Sequence, residues 1–190
     1  MSTATPKPPM KERILDTADR LFYHRGIRAV GVDTIAAEVG ISKRTLYNHF
    51  PSKDGLVAAY LMRRFVPIPH SEKSPFDQIM RTFERLAQGF GSKGFRGCPF
   101  VNAVTEIGES DSEALKIAQA FKEDRLAWMR DKVTKLGVAD PETLATQLAI
   151  LIDGAIAQDL VRRDPDVGRK AHEAARVLLA HAGVTGAAAA

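Results

Sequence analysis

The chain has 190 residues, 45% of them hydrophobic, with 27 Lys/Arg against 23 Asp/Glu and a single cysteine. That is enough for one large or two small domains with a packed core. The lone Cys98 excludes an intramolecular disulfide and fits a reducing cytoplasm. No apolar run approaches the ~20 residues of a membrane helix, and the N-terminus, with Pro6, Pro8 and Pro9, lacks an apolar signal core. We therefore expect neither membrane insertion nor export.

The net charge of +4 is unevenly spread: residues 1–65 hold 11 Lys/Arg against 6 Asp/Glu, and residues 66–190 hold 16 against 17. An excess of positive charge in the first third suits a polyanionic partner.

In chain order, residues 1–9 read as a flexible tail, with three prolines and no apolar period. Helix 1 spans about Lys11 to Arg25, with Ile14, Leu15, Ala18, Leu21 and Phe22 on one stripe and Gly26 as its C-cap. The link Ile27–Gly31 leads to helix 2, about Val32 to Val39. Helix 3 runs from Lys43 to about His49. Pro51 breaks it, and Ser52 caps helix 4, Lys53 to about Phe65, which Pro67 and Pro69 stop. Residues 66–74 form a connector. Ser74-Pro75 opens helix 5, carrying Phe76, Ile79, Met80, Phe83, Leu86 and Phe90. A loop with Gly89, Gly91, Gly94 and Gly97 follows, without the order of a phosphate-binding loop. Helix 6 covers Pro99 to Ile107. Ser110 with Glu113 forms a capping box for helix 7, which ends near Leu136. Asp140-Pro141 opens helix 8, to about Val161. Asp164-Pro165 breaks it, and helix 9 runs from about Asp166 to Ala182 before a frayed alanine-rich end. No strand pattern and no internal repeat is visible. The expected fold is all-α: a small three-helix unit on a larger helical body.

The informative stretch is Thr34 to Phe50. Ile35, Ala36 and Val39 recur at helical spacing. Gly40 takes a backbone shape that other residues resist, and Ser42 can accept the N–H of Arg44 or Thr45 as a cap. Leu46 and Phe50 point to a core, while Lys43, Arg44, Thr45, Tyr47, Asn48 and His49 all offer hydrogen-bond donors. This is a helix-turn-helix whose second helix has the chemistry to enter a DNA major groove.

The longer run GIRAVGVDTIAAEVGISKRTLYNHFPSKDGLVAAYL resembles the DNA-binding region of the TetR family of bacterial transcriptional regulators. A glycine ends helix 1, Ile-Ala stands four residues before the turn glycine, and S-K-x-T-L-Y-x-H-F-x-S-K-x-x-L follows. The resemblance covers about a quarter of the chain closely, and the remainder only in helix number and length. It implies a nine-helix protomer, a homodimer joined through helices 8 and 9, and an effector pocket in the body. Three positions depart from the family pattern. Gly31 stands where Ser or Thr is usual, Arg44 replaces a small residue, and Asn48 occupies a site often held by His or another polar residue. These departures bear on which operator is read.

On this reading residues 10–52 are the DNA-binding domain and 53–190 the effector-binding and dimerisation domain, with helix 4 as the link. Lys43 and Arg44 reach a guanine edge or a phosphate, or form a solvated surface pair. Thr45 touches a thymine methyl or a phosphate, or only caps its helix. Tyr47 and His49 contact phosphates, although Tyr47 has packing against helix 1 as an alternative. Asn48 is placed to bond adenine. Thr34 and Lys53 are further phosphate candidates, Lys53 because it opens a helix, and Ser42 is a further DNA-binding candidate.

In the body, Phe83, Phe121 and Trp128, with Asn102, Thr105 and Glu106 of helix 6, are the effector candidates; the aromatic three are equally readable as a filled core, and the polar three are the more informative. Asp153 and Gln158 are weaker, and Asp153 answers an arginine as readily as a ligand. Cys98 reads as a buried apolar group or a redox sensor. The five histidines have no metal-ligand spacing, so no metal or cofactor is expected. No catalytic constellation stands out. On helices 8 and 9, Gly154, Ala155 and Ala157, then Ala171, Ala174, Ala175, Val177, Leu178 and Leu179, give surfaces suited to a four-helix dimer interface. The expectation is a cytoplasmic, nucleoid-associated repressor that leaves a palindromic operator when a small, largely apolar effector binds. An activator or effector-independent regulator of the same fold is the alternative, and a helical enzyme or interaction module a remote one.

Overall fold

The computed structural model describes residues 8–108, 112–164 and 166–184. Among them are nine α-helices and no strand: α1 (Met10–Arg25), α2 (Val32–Val39), α3 (Lys43–His49), α4 (Lys53–Arg64), α5 (Pro75–Gly89), α6 (Pro99–Ile107), α7 (Glu113–Lys135), α8 (Pro141–Arg162) and α9 (Asp166–His181). The all-α expectation holds, and the ends fall within a residue or so of those read from the sequence.

Most boundaries follow from local capping chemistry. The first N–H groups of a helix lack carbonyl partners, and a hydroxyl or carboxylate just before the helix supplies one. Ser42 accepts from Thr45 N–H at 3.0 Å, Ser52 from Gly55 at 2.9 Å, Ser74 from Asp77 at 3.1 Å and Asp140 from Thr143 at 3.1 Å. At the start of α7 the expected capping residue, Ser110, lies outside the described residues; Ser112 accepts from Leu115 N–H at 3.2 Å. The expected tail and alanine-rich end fall largely outside them too. Arg163, between α8 and α9, holds φ 54°, a left-handed backbone uncommon without glycine. Its guanidinium donates to the Phe95 carbonyl at 3.1 Å.

The chain forms two compact units, Met1–Val66 with Cys98–Gln119, and Pro67–Gly97 with Ala120–Ala190. In the first, Ile14, Ala18, Ile35, Leu46, Leu56 and Leu61 are fully or almost fully buried. Phe22 meets Tyr60 edge-on at 5.6 Å, which packs α1 on α4. Asp19 accepts two bonds from Arg64, at 2.7 and 2.8 Å, and that guanidinium lies 4.2 Å from the Tyr23 ring. α6 belongs to this unit and sets Phe100 edge-on to Phe65 at 6.2 Å.

The second unit is built on Ile79, Met80 and Phe83 of α5, Met129 and Val133 of α7, Leu144 and Leu148 of α8, and Ala175 and Leu179 of α9. α5 and α9 approach so closely at Gly168 that an added Cβ would lie 2.5 Å from both Cα and Cβ of Ala87. Alanine is ordinarily the better helix former by about 1 kcal/mol. Here the clash is with backbone, so it outweighs propensity. Gly168→Ala is expected to destabilise the protein by about 1–3 kcal/mol, read as a lower urea midpoint with unchanged m value.

α8 is, among the described residues, the helix long and apolar enough by length and composition to cross a membrane (22 residues, mean hydropathy 1.4). Counting uninterrupted apolar runs passes over it, because Asp153 and Asp159 break the run. Leu144, Leu148 and Ala155 bury one side of α8 in the core.

Candidate nucleic-acid interface

α2 ends in a tight turn that fixes the placement of α3. Gly40 adopts φ 77°, and the N–H groups of Gly40 and Ile41 both reach the Ala36 carbonyl at 3.0 Å. This satisfies the free carbonyls at the end of α2 without a side chain. The Arg13 guanidinium adds a bond to Val39 O at 2.9 Å. α3 then starts on its Ser42 cap and turns Leu46 inward, with Phe50 buried just beyond its end.

The outward surface carries Ser42, Lys43, Arg44, Tyr47 and Asn48, all exposed; Thr34, Thr45, His49 and Lys53 are half-buried. Tyr47 is 37% exposed. The Thr45 hydroxyl lies 2.9 Å from that of Ser42, so the two share a hydrogen bond at the cap.

The charged groups differ in how free they are. Lys43 donates to Asp33 at 3.1 Å, and that bond holds its ammonium above the ordinary lysine range. Asp33, in the first turn of α2, was not singled out by the sequence reading; an acidic residue that opens the preceding helix was the available signal. Arg44 makes no hydrogen bond or ion pair among the described residues, so it is the unengaged cation of the first turn. Lys53 donates to Ile27 O at 2.7 Å and so stitches the start of α4 to the α1–α2 link.

The same link is held from α6. Glu106 accepts the Arg28 N–H at 2.9 Å, and its carboxylate fills the space beside Gly26, where an added Cβ would meet an oxygen at 3.0 Å. Asn102 is half-buried, and Thr105, exposed, donates its hydroxyl to Asn102 O at 2.9 Å. These three effector candidates lie in the first unit and the other three in the second. Phe83 is fully buried in the core of that unit. Trp128 packs on the core with Lys132 at 5.7 Å from its ring, and Phe121 carries Arg125 at 4.7 Å. Asp153 answers a lysine rather than an arginine: Lys122 donates to both its oxygens, at 2.5 and 2.6 Å. A groove of about 730 Å³ on the first unit is lined by Lys11, Leu15, His49, Phe50, Ala59 and Met62 among others, and by none of the effector candidates.

Comparisons with known proteins agree with this geometry. The model of the "Bacterial regulatory proteins, tetR family" matches residues 14–60, which hold α2, α3 and most of α1 and α4. A crystal structure of a TetR-type transcriptional regulator from Streptomyces avermitilis superposes with a TM-score of 0.84 at 31% identity, covering 94% of this chain and all of that one. An uncharacterized HTH-type transcriptional regulator of Mycobacterium tuberculosis is 44% identical over 75 residues, 40% of this chain and 37% of its own. The HTH-type transcriptional activator FasR of Mycolicibacterium smegmatis is 29% identical over 169 residues, 89% of this chain and 65% of its own. The chain thus spans less than two thirds of the length of these two curated relatives.

Proposed function

Because the chain belongs to the TetR family of bacterial regulatory proteins, we propose that it is a homodimeric regulator of transcription, not an enzyme, that seats one α3 in each half-site of a palindromic operator. The observation that carries this is the outward face of α3, where Lys43, Arg44, Tyr47 and Asn48 are exposed together while Leu46 is buried behind them. Residues 10–52 are the reading head. Ser42, Thr45, Tyr47, His49, Thr34 and, through the free N–H groups at the start of α4, Lys53 position it on phosphates, and Arg44, Asn48 and Lys43 face base edges. The two heads must lie about 34–36 Å apart, one helical turn, to engage together.

Dimerisation is assigned to α8 and α9. Gln147, Ile150, Gly154, Ala157 and Val161 recur at three- and four-residue steps on the exposed side of α8. Ile150 and Val161 are 65% and 81% exposed, and Val177 of α9 is 67% exposed. Apolar side chains this open on two neighbouring helices suit a second copy of the chain.

A small, largely apolar effector in the helical body completes the reading. Phe83, Phe121 and Trp128, all in the second unit, are its apolar candidates. Binding that favours a different separation of the heads, transmitted through α4, releases the operator in the cytoplasm; a coupling of about 1–3 kcal/mol gives roughly 5- to 150-fold weaker DNA binding. Repression is the sign we assign. Activation is the second reading, because one relative matched over 89% of this chain, FasR, is named an activator.

The test is selection of bound duplexes from a random pool with the purified protein. Enrichment of one palindrome supports the reading; no enrichment by a folded dimer sinks it. On the enriched operator, Arg44→Ala is expected to cost about 1–3 kcal/mol and to relax the preference at one base pair in each half-site. A loss that is equal for operator and random duplex would instead assign Arg44 to a phosphate.

A further inference from the structure

The link between α1 and α2 sets where α2 stands, and through the Gly40 turn where α3 stands. What holds the link therefore holds the reading face. α1 stops at Gly26, whose φ of 92° turns the chain out of the helix. Ile27 and Val30 are buried and keep the link folded onto its unit. Polar ties then fix its direction. Lys53, at the start of α4, donates to the Ile27 carbonyl at 2.7 Å, and Arg13 of α1 donates to Val39 O at the far end of α2 at 2.9 Å. The third tie comes from further off. Glu106 lies on α6, 78 residues on from Arg28, and accepts the Arg28 N–H at 2.9 Å.

Gly26 makes room for that carboxylate. Its oxygens lie 3.0 and 3.2 Å from where a Cβ would stand, so the glycine that turns the chain also leaves Glu106 its place. A carboxylate accepts an N–H more strongly than a neutral oxygen does. α6 is itself anchored: Phe100 and Ala103 are buried, and Phe100 meets Phe65 edge-on. Glu106 thus braces the link against a fixed helix. Arg28 is exposed, so without Glu106 its N–H would turn to water, at little cost to folding. What would be lost is the fixed direction of the link.

We propose that Glu106 is a positioning residue for operator recognition: from α6 it holds the α1–α2 link and so fixes the angle at which α3 meets its half-site. This rests on the operator reading above and adds to it a preference for one half-site spacing. It assigns Glu106 to the reading head rather than to a bound ligand. A head already set in one orientation loses little freedom on a matching operator and must distort to fit another.

The test compares the full chain with Glu106→Gln and Glu106→Ala. Both variants remove the same negative charge, so long-range attraction to DNA changes equally in the two. Glutamine alone keeps an oxygen that can accept the Arg28 N–H. Glu106→Met, which fills the space without an oxygen, replaces the alanine variant if that does not fold. Hydrogen exchange followed by NMR should show the Arg28 amide protected in the wild type and in Glu106→Gln, and exchanging faster in Glu106→Ala. Binding is then measured on the selected palindrome and on copies with one base pair added or removed between the half-sites, a shift of about 3.4 Å along the axis and about 35° around it. Glu106→Ala should bind the selected palindrome roughly 3- to 10-fold more weakly than Glu106→Gln, and should discriminate less among the three spacings. An unprotected Arg28 amide in the wild type, equal binding by the two variants, or a loss in Glu106→Ala that is the same at every spacing each overturn the proposal. Failure of the operator reading looks different, because the wild type then enriches no palindrome. Protection of Arg28 that depends on Glu106 would in that case leave the brace standing and remove its role in reading DNA.

Discussion

Raising the salt from 50 to 200 mM weakens binding to the selected operator by ~10²-fold. The figure comes from the cations that the outward surface of α3 presents. Lys43 and Arg44 on each protomer make four in the proposed dimer. Counting each of these cations as displacing one condensed counterion, whichever group of the DNA it meets, roughly −0.9 apiece gives about −3.6 in log affinity against log salt. Lys53 is not counted, because its ammonium is engaged by Ile27 O. The open question is whether Lys43 leaves Asp33. If it stayed, only the two Arg44 side chains would count, the slope would be about −1.8, and the loss only about tenfold. Exposed ion pairs are worth about 0–1 kcal/mol, and Asp33 on its own would face a polyanion, so Lys43 should transfer to DNA. Asp33→Asn is then expected to tighten binding and leave the slope unchanged. A wild-type slope near −1.8 that steepens in Asp33→Asn would show that the pair survives on DNA. A flat response would remove both cations from the interface.

What was legible in the sequence was local. Ser42, Ser52, Ser74 and Asp140 bond N–H groups only three residues away, so their capping roles follow from spacing alone. Gly40 and the inward Leu46 follow from helix period and backbone freedom in the same way. The partners of the charged candidates were not legible. Lys43 meets Asp33 across the turn, Lys53 meets a carbonyl 26 residues away, and Glu106 meets an N–H 78 residues away. Each depends on how helices pack, which side-chain chemistry does not encode. Glu106 and Thr105 look alike as polar residues on a helical face; only the packing puts one against the α1–α2 link and leaves the other exposed. Asp159 runs against composition altogether, since an aspartate is ordinarily read as surface. Its burial comes from sharing a helical face with Leu148 and Ala155.

Leu46→Ala is expected to destabilise the protein by about 2–5 kcal/mol and to abolish operator binding. α3 has seven residues, and an isolated helix of that length does not persist in water. It is held by its Ser42 cap and by the burial of Leu46, which has 0% exposure, and Phe50, which has 5%. The cap contributes about 1 kcal/mol, so packing is the larger share. Leu46 also fixes rotation about the helix axis. At 100° per residue, turning Leu46 and Phe50 inward sets Arg44 and Asn48 on the far side, with Tyr47 on the flank. Removing the Leu46 side chain therefore costs stability and the register of the reading surface together. Tyr47→Ala provides the contrast. Its ring is exposed, so the change should move stability by no more than about 0.5 kcal/mol while it weakens operator binding. Urea unfolding followed by circular dichroism, with binding measured on the same samples, separates the two. A Leu46→Ala protein that loses less than about 1 kcal/mol would mean that this side chain does not anchor α3, and the assignment of its inward and outward faces would fall with it.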